Sequence, residues 1–229
     1  MEFYILISCI GGVLAVDDRA GWQSLLAQPV FAGLLVGSVT GQLQAGLAVG
    51  VLLELVWLSI LPMRGIRRPD HIAGGVVGAG TTCLLLNSTG DPRMGFLVSI
   101  GVFTGLLTGI GALWLAKPLH ELRDARLSAF ANTPRALNPR ALGLVHLLHT
   151  ASLFLLEMVL VLVFLSVSLV AGEWMSGVIS EPVMQGTRFW SIVMPVFGIA
   201  ALIQIYWHKF AIRFLFLSMT LTLLILWIR

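Results

Sequence analysis

Residues 24–61 read SLLAQPVFAGLLVGSVTGQLQAGLAVGVLLELVWLSIL, an apolar run with no charge until Glu54. As one helix the run would be about 57 Å long, nearly twice the roughly 30 Å hydrocarbon core of a bilayer. It is too long for a single span. Gly33, Gly37, Gly41, Gly46 and Gly50 punctuate it, with Gln42 and Gln44 in the middle. Glycine and glutamine there suit a turn at membrane depth, where non-helical backbone is tolerated only if protein or a wet cavity covers it. The stretch therefore predicts a broken or re-entrant hairpin. The first apolar stretch, 3–16, is too short to cross comfortably, so residues 1–80 as a whole are read as such hairpins rather than simple spans.

Composition sets the class around this hairpin. Of 229 residues, 58% are hydrophobic and 11% charged, and the mean hydropathy is +0.95. A soluble domain is about 45–50% apolar and about 25% charged. A soluble core of this length has no room for so much apolar surface, which excludes soluble enzymes, nucleic-acid binders and disordered proteins. The net charge of +3 and pI near 9.3 need no polyanionic partner, because Lys and Arg gather in cytoplasmic loops of membrane proteins. Cys9 and Cys83 lie in apolar stretches and read as small hydrophobes. Glu2, with no basic residue before Asp17, argues against a signal peptide.

Further apolar stretches run over 72–89, 95–116, 142–171, 189–207 and 211–228. Between them, basic-rich and basic-poor loops alternate. Arg64, Arg67 and Arg68, then Lys117, Arg123, Arg126, Arg135 and Arg140, then Lys209 and Arg213 set ten cations against Arg93 and Arg188. The positive-inside rule puts 62–71, 117–141 and 207–213 in the cytoplasm. The expected fold is an all-α polytopic membrane protein, with broken hairpins in the N-terminal part followed by about five membrane helices. Three segments are expected: a membrane core with the substrate site over 1–116, a proline-containing cytoplasmic linker over 117–141, and C-terminal membrane helices over 142–229. Gly-xxx-Gly spacings at 33/37/41, 46/50, 74/78 and 101/105/109 mark close helix contact.

Ionisable groups in apolar stretches are functional suspects. Glu54 has no cation nearby in sequence; it suits hydrogen bonds from a polyol or a carried proton, or else a structural bond to neighbouring backbone. The segment Pro62-Met63-Arg64-Gly65-Ile66-Arg67-Arg68-Pro69-Asp70-His71 is the densest polar cluster beside it. Its guanidinium groups suit phosphate or carboxylate in a forked geometry, though orientation alone also accounts for them. His146, His149 and Glu157 share a helical face, which reads as polar glue between helices rather than a metal site, since the His-Glu-x-x-His signature is absent. No Walker loop, nucleophile elbow or dinucleotide fingerprint occurs.

The run Asp17-Asp18-Arg19, Gln23, Gln28-Pro29, the glycines 37, 41, 46 and 50, Leu53-Glu54-Leu55-Val56-Trp57-Leu58, Leu61-Pro62 and Pro69-Asp70 resembles the IIC component of the mannose-class phosphotransferase system. Pro69 and Asp70 follow Glu54 by fifteen and sixteen residues, as in that family. His149 followed by Ala151-Ser152-Leu153-Phe154-Leu155 resembles its His-x-Ser-Ser-Leu-Phe segment. The likeness is dense over about 1–90, collinear to about 160 and hydropathic beyond.

The resemblance implies a permease subunit for a hexose or hexose derivative, multi-pass in a bacterial inner membrane. It would pair with a homologous IID subunit, as a homo-oligomer of IIC–IID units in lipid. Cytoplasmic IIA and IIB would pass phosphoryl groups from phosphoenolpyruvate to the sugar. The subunit would need no metal or cofactor and have no catalytic residue of its own. Glu54 and Asp70 match the family's carboxylates near the sugar, and Asp17 matches its Asp-Arg loop. Gln28, Gln42 and His71 occupy further substrate-facing positions, where the family carries Arg, Asp and Glu. Arg64, Arg67 and Arg68 replace small or apolar family residues and are the expected phosphoryl or anion contacts, which favours an acidic or phosphorylated ligand. These departures leave open a degenerate, non-transporting IIC-like platform that docks or senses phosphotransferase proteins.

Overall fold

The computed structural model describes residues 2–21, 24–57, 69–89, 94–134 and 138–179, and the regular elements among them are helical. In chain order they are α1 (Glu2–Arg19), α2 (Pro29–Thr40), α3 (Leu43–Trp57), α4 (His71–Thr89), α5 (Met94–Ala131) and α6 (Pro139–Val178). α4, α5 and α6 are long and apolar enough to cross a membrane. The expected helices at 189–207 and 211–228, and the arginines at 64, 67 and 68, lie outside the described residues.

The long apolar run is broken as its glycines predict. α2 and α3 are about 18 and 22 Å long at 1.5 Å per residue, and they lie side by side as a hairpin. Pro29 opens α2 at a position where a missing N–H costs nothing. Gly41 closes it at φ +74°, a left-handed cap that a side chain would strain. The Gln42 N–H then turns back to the Gly37 carbonyl at 2.8 Å, and the Gln42 carbonyl accepts from Gly46 at 3.0 Å to start α3.

α4 sits at the centre and touches each of the other five described helices. Nearly every side chain on it is buried. Such contact on all sides requires small residues, and α4 supplies glycines where its neighbours do too. A Cβ on Gly78 would lie 2.6 Å from the Gly101 carbonyl oxygen, and one on Gly101 would lie 2.6 Å from that of Gly78. Gly74 and Gly105 meet in the same reciprocal way, at 2.6 and 2.7 Å. Lipid is as apolar as leucine, so close backbone packing is what holds such helices together. The Thr82 hydroxyl adds a bond from α4 to the Leu97 carbonyl of α5 at 3.0 Å.

Residues 117–131, read from the sequence as linker, continue α5 past Pro118. The proline ring removes one N–H from the helix ladder, but Leu119, Leu122, Arg123, Arg126 and Leu127 keep a helical alternation around it. α6 starts beyond the turn, where the Asn138 side chain accepts from the Arg140 N–H at 3.0 Å and Pro139 takes the first helical position. The other described helices leave most of the apolar window of α6 uncovered, with Leu144, Leu147, Leu148, Leu155 and Val159 all exposed.

The glycine contacts make a direct prediction. Gly78→Ala forces α4 and α5 apart and should destabilise the subunit by about 1–3 kcal/mol, the usual cost of overpacking. Gly143→Ala, where an added Cβ meets nothing within 4 Å, should be neutral or stabilising by up to about 1 kcal/mol. Thermal unfolding of the two variants in detergent checks this; equal melting temperatures would mean the α4–α5 seam is not tight.

Candidate functional site

α1 is apolar until it ends in Asp17-Asp18-Arg19. Its packing on α4 and α6 carries Arg19 toward the start of α4, where Asp70 is buried. The Asp70 backbone N–H bonds to the Gly109 carbonyl of α5 at 2.8 Å. Lys117 is the first charged residue of α5, eight residues on, so Asp70 lies about 12 Å along the helix from that charge. Glycine at 109 makes the approach possible, since a Cβ there would lie 3.0 Å from the Asp70 carbonyl oxygen.

Asp70 serves two partners at once. Its Oδ1 accepts from the Ala73 N–H at 3.2 Å, capping α4. Its Oδ2 accepts from Arg19 Nη2 at 2.7 Å. The other terminal nitrogen, Arg19 Nη1, lies 3.6 Å from Glu157 Oε2 on α6 and 3.3 Å from His120 Nε2 on α5. The Asp70 and Glu157 side chains are 4% and 1% exposed, so one guanidinium faces two buried carboxylates. A guanidinium only donates, so His120 Nε2 is the acceptor and its proton sits on Nδ1.

Beside this cluster lies a cavity of about 350 Å³, walled by the end of α1, residues 69–71 and the stretch 113–124 of α5. Asp18, Asp70 and Asp124 bring carboxylates to its wall; Arg19, Lys117 and Arg123 bring cations, and His71 and His120 bring imidazoles. His120 Nδ1 and two nitrogens of Arg123 are buried without a hydrogen-bond partner. A larger groove between α3, α5 and the end of α6 is lined almost wholly by apolar side chains and offers no comparable chemistry.

The sequence candidates fall in three places. Asp70 and His71 are at the cavity. Glu54 is half-buried on α3, where its carboxylate receives the Val30 N–H at the start of α2 while Oε2 is buried with no partner. Gln28, also half-buried, directly precedes that helix. Gln42 lies at the hairpin tip, its Nε2 donating to Asn87 Oδ1 at 2.7 Å, and Asn87 donating in turn to the Thr40 carbonyl at 3.1 Å. Asn87 is seventeen residues from Asp70 along α4, about 25 Å. Arg64, Arg67 and Arg68 are outside the described residues.

The polar face of α6 does not gather. His146 is exposed and His149 borders a groove with Arg123 and Arg126, whereas Glu157 turns to Arg19. Among the described residues no group of three or more His, Cys, Asp or Glu could hold a metal. Sequence reasoning missed Arg19 as the hub and read Lys117 and Arg123 only as orienting charges. The available signal was charge balance: Asp70 and Glu157, set in or beside apolar stretches, need a cation, and Arg19 closes an apolar helix.

Losing that cation should be costly. Arg19→Met leaves two buried carboxylates without a counter-charge, a loss of up to about 3–5 kcal/mol. Arg140→Met, at an exposed position, should stay within about 0.5 kcal/mol. Melting temperatures of the purified variants test the contrast, and equal values would remove Arg19 from the core.

Comparison with known proteins gives three findings. Residues 3–226 match the family described as the sorbose-specific IIC component of the phosphotransferase system. An Escherichia coli (strain K12) protein, the putative N-acetylgalactosamine permease IIC component 2, is 45% identical over 81 residues. That match takes in 34% of this chain and 61% of the relative, so the chain spans less than two thirds of that relative's length. A solved membrane-protein structure superposes with a TM-score of 0.69 at 17% identity, covering 96% of this chain and 84% of the other.

Proposed function

The chain belongs to the sorbose-specific IIC family of the phosphotransferase system, and from that premise we propose that it is the sugar-binding, translocating membrane subunit of a phosphoenolpyruvate-dependent transport complex. The observation that carries the reading is the cavity at Asp70. Its wall interleaves three carboxylates, Asp18, Asp70 and Asp124, with three cations, Arg19, Lys117 and Arg123. Sugar hydroxyls both donate and accept, so such a wall suits a polyol. A volume of about 350 Å³ is in the range of small-ligand pockets, about 300–1,000 Å³.

In this reading Asp70 accepts from sugar hydroxyls with His71 beside it, while the Oε2 of Glu54 and Gln28, which do not line that cavity, meet the sugar elsewhere on its path. Gln42, already bonded to Asn87, is left out of the set. Arg64, Arg67 and Arg68 stand within six residues before Asp70 and meet the phosphoryl group that a IIB protein delivers at the cytoplasmic mouth, as guanidinium does in phosphoryl transfer. The apolar face of α6 that the other described helices leave open suits a second polytopic subunit, a IID partner, in the bacterial inner membrane. The family and the E. coli relative suggest a hexose or hexosamine derivative, so radiolabelled sorbose and N-acetylgalactosamine are the probes.

Vesicles holding this subunit, a IID partner and the soluble IIA and IIB proteins should take up and phosphorylate one of these sugars only when the subunit is present. Uptake that is the same without it would end the proposal. Asp70→Asn and Glu54→Gln should each weaken binding by about ten- to a hundredfold, since hydrogen bonds to a charged acceptor contribute about 1.5–3 kcal/mol.

The arginine loop has its own test. Orientation asks only for positive charge, whereas phosphoryl recognition asks for the planar fork that lysine lacks. Replacing Arg64, Arg67 and Arg68 together by lysine should preserve topology and partner binding but lower coupled uptake at least tenfold, about 1.4 kcal/mol of transition-state stabilisation. Wild-type uptake in that variant would assign the arginines to topology alone.

A further inference from the structure

Glu157 is the group that the reading above leaves unused. It lies near the middle of α6, 1% exposed, with Asp70 as well as Arg19 beside its carboxyl group. Its one close cation is Arg19 Nη1 at 3.6 Å, and the same guanidinium gives its shorter bond, 2.7 Å, to Asp70. A sugar hydroxyl that bonds to Asp70 Oδ2 therefore shares that oxygen with Arg19. Were the guanidinium to lose Asp70 with nothing in exchange, a buried cation would stand unpaired, which proteins avoid at high cost. Glu157 removes that obstacle, because it already faces the other arm of the fork. Arginine suits the exchange because its planar fork can address two carboxylates from one position.

We propose that Glu157 is a positioning residue, the alternative seat for Arg19 that lets Asp70 turn from the guanidinium to the sugar. The proposal rests on Asp70 being a sugar contact. In the ligand-free subunit Arg19 is held mainly by Asp70; with sugar bound it is held mainly by Glu157. Helices α1, α4 and α6 stay tied throughout, since the guanidinium keeps one carboxylate in either state. Glu157 never touches the ligand, so its removal changes how readily Asp70 is released and leaves the later steps alone.

The test uses the complete vesicle system with whichever of sorbose or N-acetylgalactosamine the wild-type complex transports. Glu157→Gln keeps the shape and removes the charge, so KM should rise about tenfold while the maximal rate per assembled complex changes little. Glu157→Asp keeps the charge at shorter reach and should give an intermediate rise, about threefold on the same scale. In an Asp70→Asn background, where there is no charged bond to release, Glu157→Gln should add no further rise. A flat KM across the series overturns the proposal, and so does an equal rise in both backgrounds, which is what a purely structural glutamate would give. If Glu157→Gln does not assemble, Glu157→Asp decides alone, an unchanged KM again counting against it. A wild-type KM for Asp70→Asn itself would instead remove Asp70 from the sugar site, so the two failures are told apart.

Discussion

Helix ends placed among apolar neighbours must find partners for their free backbone groups inside the protein, because hydrocarbon supplies none. The described part of this chain is organised around that constraint. Splitting one long apolar run into α2 and α3 creates two additional helix ends, both at the tip of the hairpin. At the tip, the left-handed Gly41 and the Gln42 N–H satisfy the last carbonyls of α2, and Asn87 of α4 takes the Thr40 carbonyl. At the open end, the Glu54 carboxylate meets the Val30 N–H where Gln28 offers no side-chain cap. Asp70 does the same for α4 through Ala73. The Glu54 and Asp70 side chains thus each serve first as a helix cap.

What remains differs from residue to residue, and the difference separates their roles. The Gln42 amide is committed to Asn87. Glu54 keeps one buried oxygen free. Asp70 shares its second oxygen with Arg19, so anything else that bonds to that oxygen does so beside the guanidinium. A carboxylate that is both cap and counter-ion is well fixed in space, which favours recognition; it is also occupied, which sets a threshold that a ligand has to exceed.

The break in the hairpin was legible because glycine and glutamine at 41–42 have a physical meaning at membrane depth that does not depend on distant residues. The glycine faces were legible for the same reason: Gly74 and Gly78 meet Gly105 and Gly101 as their spacing implies. The linker was not. Pro118 reads as punctuation in a local window, yet leucines and arginines at helical spacing carry α5 through it to Ala131. Arg19 was hidden for a different reason. Its partners are 51 and 138 positions away, and a pairing at that separation leaves no periodic trace along the chain. Only a balance of buried charge points to it, and that balance does not choose between Arg19 and the ten loop cations.

Helices α1, α4 and α6 share an apolar core to which Ile7, Ala79 and Leu165 belong, and the hub adds a charged tie among the same three. α1 contributes the cation from its last residue, α4 the carboxylate before its first, and α6 a carboxylate from its middle. A lysine at 19 would be a point charge able to sit well beside one of them. The guanidinium fork addresses both from one rotamer and still offers an edge to His120. The same fork couples the helices: a movement of the segment bearing Asp70 changes the pull on Arg19 and so on Glu157, with no intervening lever. Apolar seams resist such movement through close packing, as Gly78 and Gly101 do, but they cannot redistribute charge. The division of labour follows from the solvent. Packing fixes the frame where lipid supplies no drive, and the shared cation ties α1, α4 and α6 where buried charge needs a partner.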